Sequence, residues 1–355
     1  MFDIDAFLRQ MADINGSDLY IAPGVPPRIN VDGNLRDAAS ETLTPKDTRD
    51  LVKQMLMDEQ WKEFLVNREM NFAYSIKGVA RYRVNVYFQR NTIASVIRQI
   101  RSDVPDFESL HLPELLGELI SGRQGLILVT GATGSGKSTT MAAMIDHRAM
   151  MMDGHIVTVE DPIEYVFRHG KSIITQREVG IDTMSFKVAL KNTLRQAPNV
   201  IYIGELRDAE TVEFALHSAE TGHLVLATLH SSNAPQTVER VLNFFPKESH
   251  HQVLMQLSYN MRAIVCQRLV PAAEDGRLPV MEILINSALA RETIQKGALG
   301  ELKKIMSEGS QEGMQTFDMH LKKYVDQKKV EEDVALKYAD SPSDLRLRLR
   351  GFKTT

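Results

Sequence analysis

A glycine-rich stretch carries the side chains best suited to binding phosphate. It consists of Gly131, Ala132, Thr133, Gly134, Ser135, Gly136, Lys137, Ser138 and Thr139. The stretch fits the pattern G-x-x-x-x-G-K-[ST], in which backbone N–H groups surround phosphate oxygens at the amino end of a helix. We expect Lys137 to contact the β- and γ-phosphates and Ser138 to ligate Mg²⁺. The stretch therefore predicts a site for ATP with Mg²⁺.

Acidic side chains follow two of the apolar segments further along the chain. They are Glu160, Asp161, Glu164 and Glu205. Residues 200–203 are apolar and lead through Gly204 into Glu205, which is typical of a Walker-B strand, although many such proteins carry Asp at the position of Gly204. Acids placed at strand ends can hold Mg²⁺ and orient an attacking water. The alternative for the first acidic segment is a solvated surface turn.

Two histidines flank one predicted strand. His223 precedes residues 224–229, and His230 follows them. A single histidine in such a place is more often structural, whereas two beside a strand of a phosphate-binding sheet favour contact with a phosphate or a carboxylate.

The elements that must position these groups alternate between strand and helix. We expect strands at about 126–130, 156–159, 173–176, 200–203 and 224–228, and helices at about 138–152, 186–196, 208–221 and 234–244. This alternation predicts an α/β fold with a parallel sheet. After residue 249 we expect a helix reaching towards Pro271, a strand at 280–285 and mainly helices beyond. Residues 345–350 fit an edge strand or a short helix equally well.

The first hundred residues have a different pattern. A helix at 2–14, a hairpin turning at Asp32-Gly33 and a helix from Thr44-Pro45 towards Trp61 precede segments of period two. Along residues 79–89, Tyr82 and its alternate neighbours should face a core while Arg81 and Arg83 face the other way. We expect a small α+β domain at 1–100, a linker at 101–110, an α/β core at 111–285 and a mainly helical region at 286–355.

Composition narrows the classes of function. The chain has 355 residues, a net charge of −4 and one cysteine, Cys266. The acidic balance disfavours nucleic acid as a direct partner, and a single cysteine excludes an intrachain disulfide or a multi-cysteine zinc site. The amino-terminal residues do not fit a signal peptide, and no apolar run reaches the ~18 residues of a membrane span. We therefore expect a cytoplasmic protein.

Four segments together resemble the Walker A, Asp box, Walker B and His box of the type II/type IV secretion ATPase superfamily. They are Gly131–Thr139, Glu160–Glu164, Leu194–Asp208 and Ala219–His230. Arg81–Gln89 and Gly313–Asp318 extend the resemblance to type IV pilus retraction ATPases of the PilT/PilU group. Ile174–Asp182 and Asp340–Arg346 look most like the PilU branch. Ala288–Ile294 departs from the pattern that the PilT group carries there.

The resemblance implies a fold and a set of roles. The fold is a RecA-like P-loop ATPase core preceded by a small α+β, PAS-like domain. Glu164 is implied to be a catalytic carboxylate and Glu205 the Walker-B acid that also meets Mg²⁺. His230 would act in catalysis and His223 at the nucleotide, both within the His box. Three arginines, Arg81, Arg83 and Arg98, match basic residues near the nucleotide, and Arg81 and Arg83 are expected to complete catalysis.

The resemblance also implies partners: a homohexamer, an inner-membrane pilus platform protein and a paralogous retraction ATPase. The expected function is ATP-driven pilus retraction and twitching motility, from the cytoplasmic side of the inner membrane. Three alternatives stay open. An assembly-type ATPase would bring an extra amino-terminal domain and a four-cysteine metal motif, which a chain with only Cys266 lacks. An accessory nucleotide-binding subunit would reinforce another motor, and a RecA-like translocase would need a basic channel.

Overall fold

The computed structural model describes residues 2–352, except for the side chain of Gln311. Contacts divide the chain into two compact units. The first contains residues up to 103 together with 164–166, and the second contains 104–163 together with the residues from 167 onward. The two units are described separately below. No helix in the described part of the chain is long and apolar enough to cross a bilayer.

The first unit is a six-stranded antiparallel sheet with three helices. Its strands are β1 (Asp18–Ile21), β2 (Arg28–Val31), β3 (Asn34–Asp37), β4 (Glu69–Ile76), β5 (Ala80–Gln89) and β6 (Thr92–Ile100), in the order β3-β2-β1-β6-β5-β4. Its helices are α1 (Ile4–Asp13), α2 (Pro45–Met55) and α3 (Asp58–Asn67). As the period-two pattern predicts, Tyr82, Val84 and Val86 are buried in the core.

The helix predicted from Thr44-Pro45 towards Trp61 is in fact two helices. A capping box between Thr44 and Asp47 begins α2, which ends before Leu56 because that residue is extended. The Gln60 side chain then accepts a hydrogen bond from the Met57 N–H, 3.1 Å away, and so begins α3. The apolar spacing is compatible with one helix, but the cap from the Gln60 side chain begins a second helix at this point.

The second unit is built on a seven-stranded sheet. Its strands are β7 (Gly125–Thr130), β8 (Gly154–Glu160), β9 (Ser172–Glu178), β10 (Val200–Ile203), β11 (Leu224–Leu229), β12 (Met261–Pro271) and β13 (Arg277–Ile285), in the order β13-β12-β7-β11-β10-β8-β9. All neighbouring pairs are parallel except β12 with β13. The predicted parallel α/β sheet is confirmed, with one antiparallel strand at its edge.

Helices cover both faces of this sheet. They are α4 (Leu115–Ile120), α5 (Lys137–Met151), α6 (Phe186–Thr193), α7 (Ala209–Glu220), α8 (Ala234–Leu242), α9 (His250–Asn260), α10 (Ala288–Gln295), α11 (Leu302–Glu308), α12 (Phe317–Asp326), α13 (Glu332–Tyr338) and α14 (Pro342–Leu349). Leu126 and Leu128 on β7 pack in one buried cluster, and Ile127 and Val129 in another. Alternate side chains of a strand point to opposite faces, so these apolar strands are buried on both sides.

One segment differs from its prediction, and another decides between two alternatives that the sequence left open. The helix expected to continue to Pro271 ends at Asn260, and residues 261–271 form β12 between β7 and β13. A strand buried on both faces is a continuous apolar run, which periodicity cannot separate from a buried helix. The undecided segment at 345–350 lies mostly in α14, where Pro342 occupies the first turn and the Ser341 side chain accepts from the Asp344 N–H.

The register of the sheet brings four chain segments to one edge. Thr130 at the end of β7 pairs with Leu229 at the end of β11. Ile203 at the end of β10 pairs with Ala227 on one side and with Val159 on the other. The segments that follow β7, β8, β10 and β11 therefore leave the sheet at its carboxyl edge, where α/β folds bind their ligands.

Candidate functional site

The glycine-rich loop connects β7 to α5 and depends on glycine at specific places. Gly134 and Gly136 have φ of 78° and 87°, in the left-handed region. At Gly131, a Cβ atom would lie 2.4 Å from the Gln267 carbonyl oxygen, which no side chain permits. These positions let the loop curl tightly over the amino end of α5, where unpaired N–H groups and the helix dipole favour an anion.

Lys137 lies inside this loop. Its ammonium donates hydrogen bonds to the carbonyl oxygens of Gly131 and Ala132, at 2.8 and 3.0 Å. Burial lowers the pKa of Lys137, and the Glu205 carboxylate acts in the opposite direction. A buried cation that donates to neutral carbonyls is well suited to meet phosphate oxygens, because a charge-assisted contact is stronger than a neutral one.

Gln267 fastens the loop to the sheet. This buried side chain on β12 donates from Nε2 to the Ser135 carbonyl and accepts from the Thr140 hydroxyl, both at 2.8 Å. Sequence reasoning missed Gln267 because its strand was predicted to be a helix. The Ser135 Oγ is buried and has no hydrogen-bond partner within residues 2–352. An unpaired buried hydroxyl in the loop fits a polar ligand there.

Charged side chains from three strand ends meet at the same edge of the sheet. The Glu205 Oε2 accepts from the Arg207 Nε at 2.7 Å, and its Oε1 lies 3.3 Å from the His230 Nε2. The Arg207 Nη1 also contacts the Asp161 Oδ2, at 2.9 Å. The Glu205 hydrogen bond and, after it, the Asp161 contact raise the pKa of Arg207. The structure thus brings together Glu205 and His230, two of the candidate residues. Sequence reasoning missed Arg207, whose only signal was its place two residues after Glu205.

The carboxylates at the end of β8 and just beyond it have different surroundings. Glu160 is buried and its Oε1 accepts from the Thr158 hydroxyl at 2.6 Å, so this carboxylate lies inside the sheet. Asp161 is exposed and pairs with Arg207, as described above. Glu164 belongs to the first unit, as part of 164–166. The solvated-turn alternative therefore does not describe Glu160, whereas Asp161 joins the cluster around Glu205 through Arg207.

Gly204 has a structural reason to be glycine. A Cβ atom there would lie 3.2 Å from the Glu160 Cα and 3.3 Å from the Val159 carbonyl oxygen. Its N–H donates to that same carbonyl at 2.8 Å. The chain after β10 therefore runs so close to β8 that an aspartate side chain at 204 would need the backbone to shift.

His223 lies at the opposite edge of the sheet from the loop. It precedes the first residue of β11, and its Nδ1 is 3.1 Å from the Ser218 carbonyl oxygen. Five residue steps along β11 separate the two edges by roughly 17 Å. His223 and His230 therefore lie at opposite ends of β11 within one chain, as their places before and after the predicted strand imply. A contact of His223 with nucleotide would need another subunit's site and stays a prediction.

The three predicted arginines lie together on the sheet of the first unit. Arg81 and Arg83 lie on β5, and Arg83 pairs in register with Arg98 on β6. The Arg98 Nε donates to the buried Asp18 carboxylate at 2.8 Å. This hydrogen bond, with smaller contributions from the charges of Asp18 and Glu164, raises the pKa of Arg98. Arg81 keeps a buried Nε with no hydrogen-bond partner among the described residues.

A cavity of about 380 Å³ opens beside the loop within the second unit. Its lining includes Gly136, Thr139, Thr140, Gln267 and Leu269. The volume is at the lower end of the range of small-molecule sites, and polar groups from the loop face apolar side chains from β12. It offers space in which a group attached to loop-bound phosphates could lie.

Fold and loop together define the class of α/β proteins that hold phosphate groups between a glycine-rich loop and the start of a helix. The chain belongs to the family described as type II/IV secretion system protein, whose profile matches residues 108–296. The family resemblance predicted from the motifs is thereby confirmed.

Individual relatives extend the similarity beyond that region. The chain is 48% identical to the type IV pilus ATPase PilU of Pseudomonas aeruginosa, over 98% of this chain and 91% of the relative. It is 38% identical to PilT of the same organism, a type IV pilus retraction ATPase, over 96% of this chain and 99% of the relative. A crystal structure of the pilus retraction motor PilT with bound ADP has a TM-score of 0.90 and 39% identity, covering 98% of this chain and 99% of that one.

Proposed function

We propose that the protein is an ATP-hydrolysing motor of the type IV pilus machinery that drives or assists pilus retraction. The observation that carries the proposal is the meeting of Lys137, Glu205 and His230 at one sheet edge beside the glycine-rich loop. Relatives named as pilus ATPases match this chain over nearly all of its length and of their own, which supports the pilus as the place of action.

The proposed position of ATP follows from the loop. Its phosphates would lie against the N–H groups of residues 131–139, with Lys137 exchanging its carbonyl partners for phosphate oxygens. The base and sugar would enter the cavity lined by Thr139, Gln267 and Leu269. Gln267 then links the two halves of the site, since it is hydrogen-bonded to the loop and lines the cavity.

Mg²⁺ would be held by Ser138 and Glu205. Ser138 is exposed on the first turn of α5, and a hydroxyl and a carboxylate are ligands of the kind that this hard cation prefers. Within residues 2–352 no three His, Cys, Asp or Glu side chains form a metal cluster. This donor set fits an ion that takes its remaining ligands from phosphate oxygens and water. When bound, Mg²⁺ neutralises charge that develops on the phosphates.

The remaining residues have proposed roles in hydrolysis. Glu205 would accept a proton from the attacking water, and His230, at hydrogen-bonding distance from Glu205, would orient that carboxylate. Arg207 contacts the carboxylates of both Glu205 and Asp161 in the present arrangement, so Glu205 would exchange this partner when ATP and Mg²⁺ bind. Glu164 is proposed as a second catalytic carboxylate by its place in the family motif.

The proposed working form is a homohexamer with active sites shared between subunits. Arg81 and Arg83, with Arg98, would supply positive charge to a γ-phosphate that is bound by the glycine-rich loop of a neighbouring subunit. The buried, unpartnered Nε of Arg81 supports a role in which this side chain gains a partner on assembly. His223 would reach nucleotide only across such a subunit boundary. The amino-terminal unit is proposed to be PAS-like and the second unit RecA-like.

We propose that the motor acts at the cytoplasmic side of the inner membrane through a pilus platform protein.

A second candidate function is an accessory subunit that reinforces a paralogous retraction motor. The departure of Ala288–Ile294 from the PilT pattern favours this alternative. The experiment is the steady-state ATPase rate and native mass of the purified protein, alone and with a related motor. Turnover by the chain alone supports an independent motor, turnover only with the partner supports the accessory role, and none in either case would overturn both.

A further inference from the structure

A buried carboxylate anchors the helix that follows His230. Glu282 lies on β13 and is 1% exposed as a residue. Its Oε1 accepts a hydrogen bond from the N–H of Ala234, the first residue of α8, at 2.7 Å. The first N–H groups of a helix have no partner within the helix and carry positive partial charge. A carboxylate buried against them is therefore a strong and directional anchor.

The segment between this anchor and His230 is short and is held at several points. Only Ser231, Ser232 and Asn233 separate His230 from Ala234. The Ser231 Oγ lies 2.7 Å from the Thr237 Oγ1, which is itself within 3.4 Å of the Thr130 Oγ1 at the end of β7. Because only three residues lie between them, a shift of the amino end of α8 would also move His230.

We propose that Glu282 is a positioning residue for His230: by fixing the amino end of α8, it sets the distance between His230 and Glu205. The inference rests on the proposed ATP hydrolysis, in which Glu205 and His230 act together. Glu282 is not among the residues that line the described cavity, and its carboxylate accepts from the Ala234 N–H, so its effect passes through Ala234 and the residues before it.

The surroundings of Glu282 give this anchor a dependence on pH. Burial raises the pKa of Glu282 to about 7, with the Asp340 charge adding to the effect and the Ala234 N–H, Lys303 and Arg268 opposing it. The elements packed against β13 carry further titratable or charged groups. They include Arg262, Cys266 and Arg268 on β12, Glu239 and Arg240 on α8, Lys303, Lys304 and Glu308 on α11, and Asp318, His320, Lys322, Lys323, Tyr324 and Asp326 on α12, with Asp340 after α13. The carboxylate accepts a stronger hydrogen bond than the neutral acid does, so the anchor is firmer at pH 8 than at pH 6.

The test compares the ATPase kinetics of full-length, assembled protein between pH 6 and 8.5. Glu282→Gln keeps the shape and an acceptor oxygen but carries no charge and does not titrate. Glu282→Asp restores the charge with a shorter reach. Glu239→Gln is the matched control, because Glu239 is an exposed glutamate on the same helix α8. Binding of ADP and native mass are measured for every variant.

We expect Glu282→Gln to lower kcat about tenfold at pH 8 with KM for ATP almost unchanged, since one charge-assisted hydrogen bond is weakened away from the nucleotide. The wild type and Glu239→Gln should show a change of kcat near neutral pH that Glu282→Gln lacks and Glu282→Asp retains. Wild-type kcat and pH profile in Glu282→Gln would overturn the inference, as would loss of ADP binding in step with kcat. Absence of turnover in the wild type would instead overturn the proposed function.

Discussion

The His230 Nε2 lies 3.3 Å from the Glu205 Oε1, and this contact joins the ends of two neighbouring parallel strands, β11 and β10. Glu205 also accepts a hydrogen bond from Arg207, so a single carboxylate contacts both a histidine and an arginine and interacts with the buried ammonium of Lys137. Such an arrangement at the carboxyl edge of a sheet can orient a water and compensate charge on a phosphate. The predictions below follow from it.

Glu205→Gln should abolish most turnover and preserve nucleotide binding. A carboxamide cannot take a proton, and loss of a general base lowers kcat by about 10²–10⁴. The measurement is kcat together with the dissociation constant of ATP, and exposed Glu213→Gln on α7 is the matched control. Glu164→Gln should act in the same direction, and wild-type turnover in that variant would contradict the role proposed for Glu164.

Lys137→Ala should weaken nucleotide binding itself. The variant removes the cation that the loop holds over Gly131 and Ala132, and a charge-assisted contact to phosphate gives roughly 10- to 100-fold in affinity. Calorimetric titration with ATP measures the effect. Lys191→Ala, an exposed lysine on α6, should bind ATP as the wild type does. Equal affinities in the two variants would show that Lys137 does not meet the phosphates.

Gln267→Ala should loosen the loop although residue 267 lies 130 positions away from Lys137 in sequence. It leaves the Ser135 carbonyl and the Thr140 hydroxyl without their partner, which should lower the free energy of unfolding by about 1–3 kcal/mol. KM for ATP should rise as well. Thermal unfolding and kinetics are measured against Gln252→Ala, an exposed glutamine on α9. An unchanged KM would mean that the hydrogen bonds of Gln267 to the loop are not part of the nucleotide site.

Mixed rings test whether the active site is shared. A protein with Arg81→Ala and Arg83→Ala should be inactive, as should Lys137→Ala. Mixing the two should restore activity, because some interfaces then pair an intact loop with intact arginines. An arginine finger contributes about 10³–10⁵ in rate, so the recovery should be easy to measure. No recovery in rings shown by native mass spectrometry to contain both chains would argue against sharing.

The raised pKa of Glu282 predicts a pH dependence of stability with a definite sign. The carboxyl has a value of 4.5 when unperturbed and about 7 in the folded chain. Between these values the native state binds more protons than the unfolded state, so this group's contribution to stability falls as pH rises from about 4.5 to about 7. Replacement by glutamine removes this loss.

We therefore expect Glu282→Gln to gain stability relative to the wild type between pH 5 and pH 8, by at most roughly 3 kcal/mol. Urea unfolding of both proteins at the two pH values is the measurement. Parallel stability curves would show that Glu282 has an ordinary pKa in the folded chain. A stabilised variant with a lower kcat would mean that the charged anchor serves activity at the expense of stability.

Much of the fold and part of the site could be predicted from local patterns. The loop, Lys137 and the acid after β10 are read from residue types at short spacing, and the strands from β7 to β11 from apolar segments separated by helices. The start of α3 at Asp58 and the strand β12 could not be predicted in this way. A side-chain cap decides the first, and burial on both faces of the sheet hides the second.

The sequence by itself determined the phosphate-binding loop, the parallel sheet and the family, because each depends on residues close together in the chain. Only the tertiary structure decided which distant residues meet: Arg207 with Asp161 across β10 and β8, Gln267 with the loop, and Glu282 with the start of α8. The physical reason is that strand order and register, rather than spacing along the chain, determine which side chains share an edge.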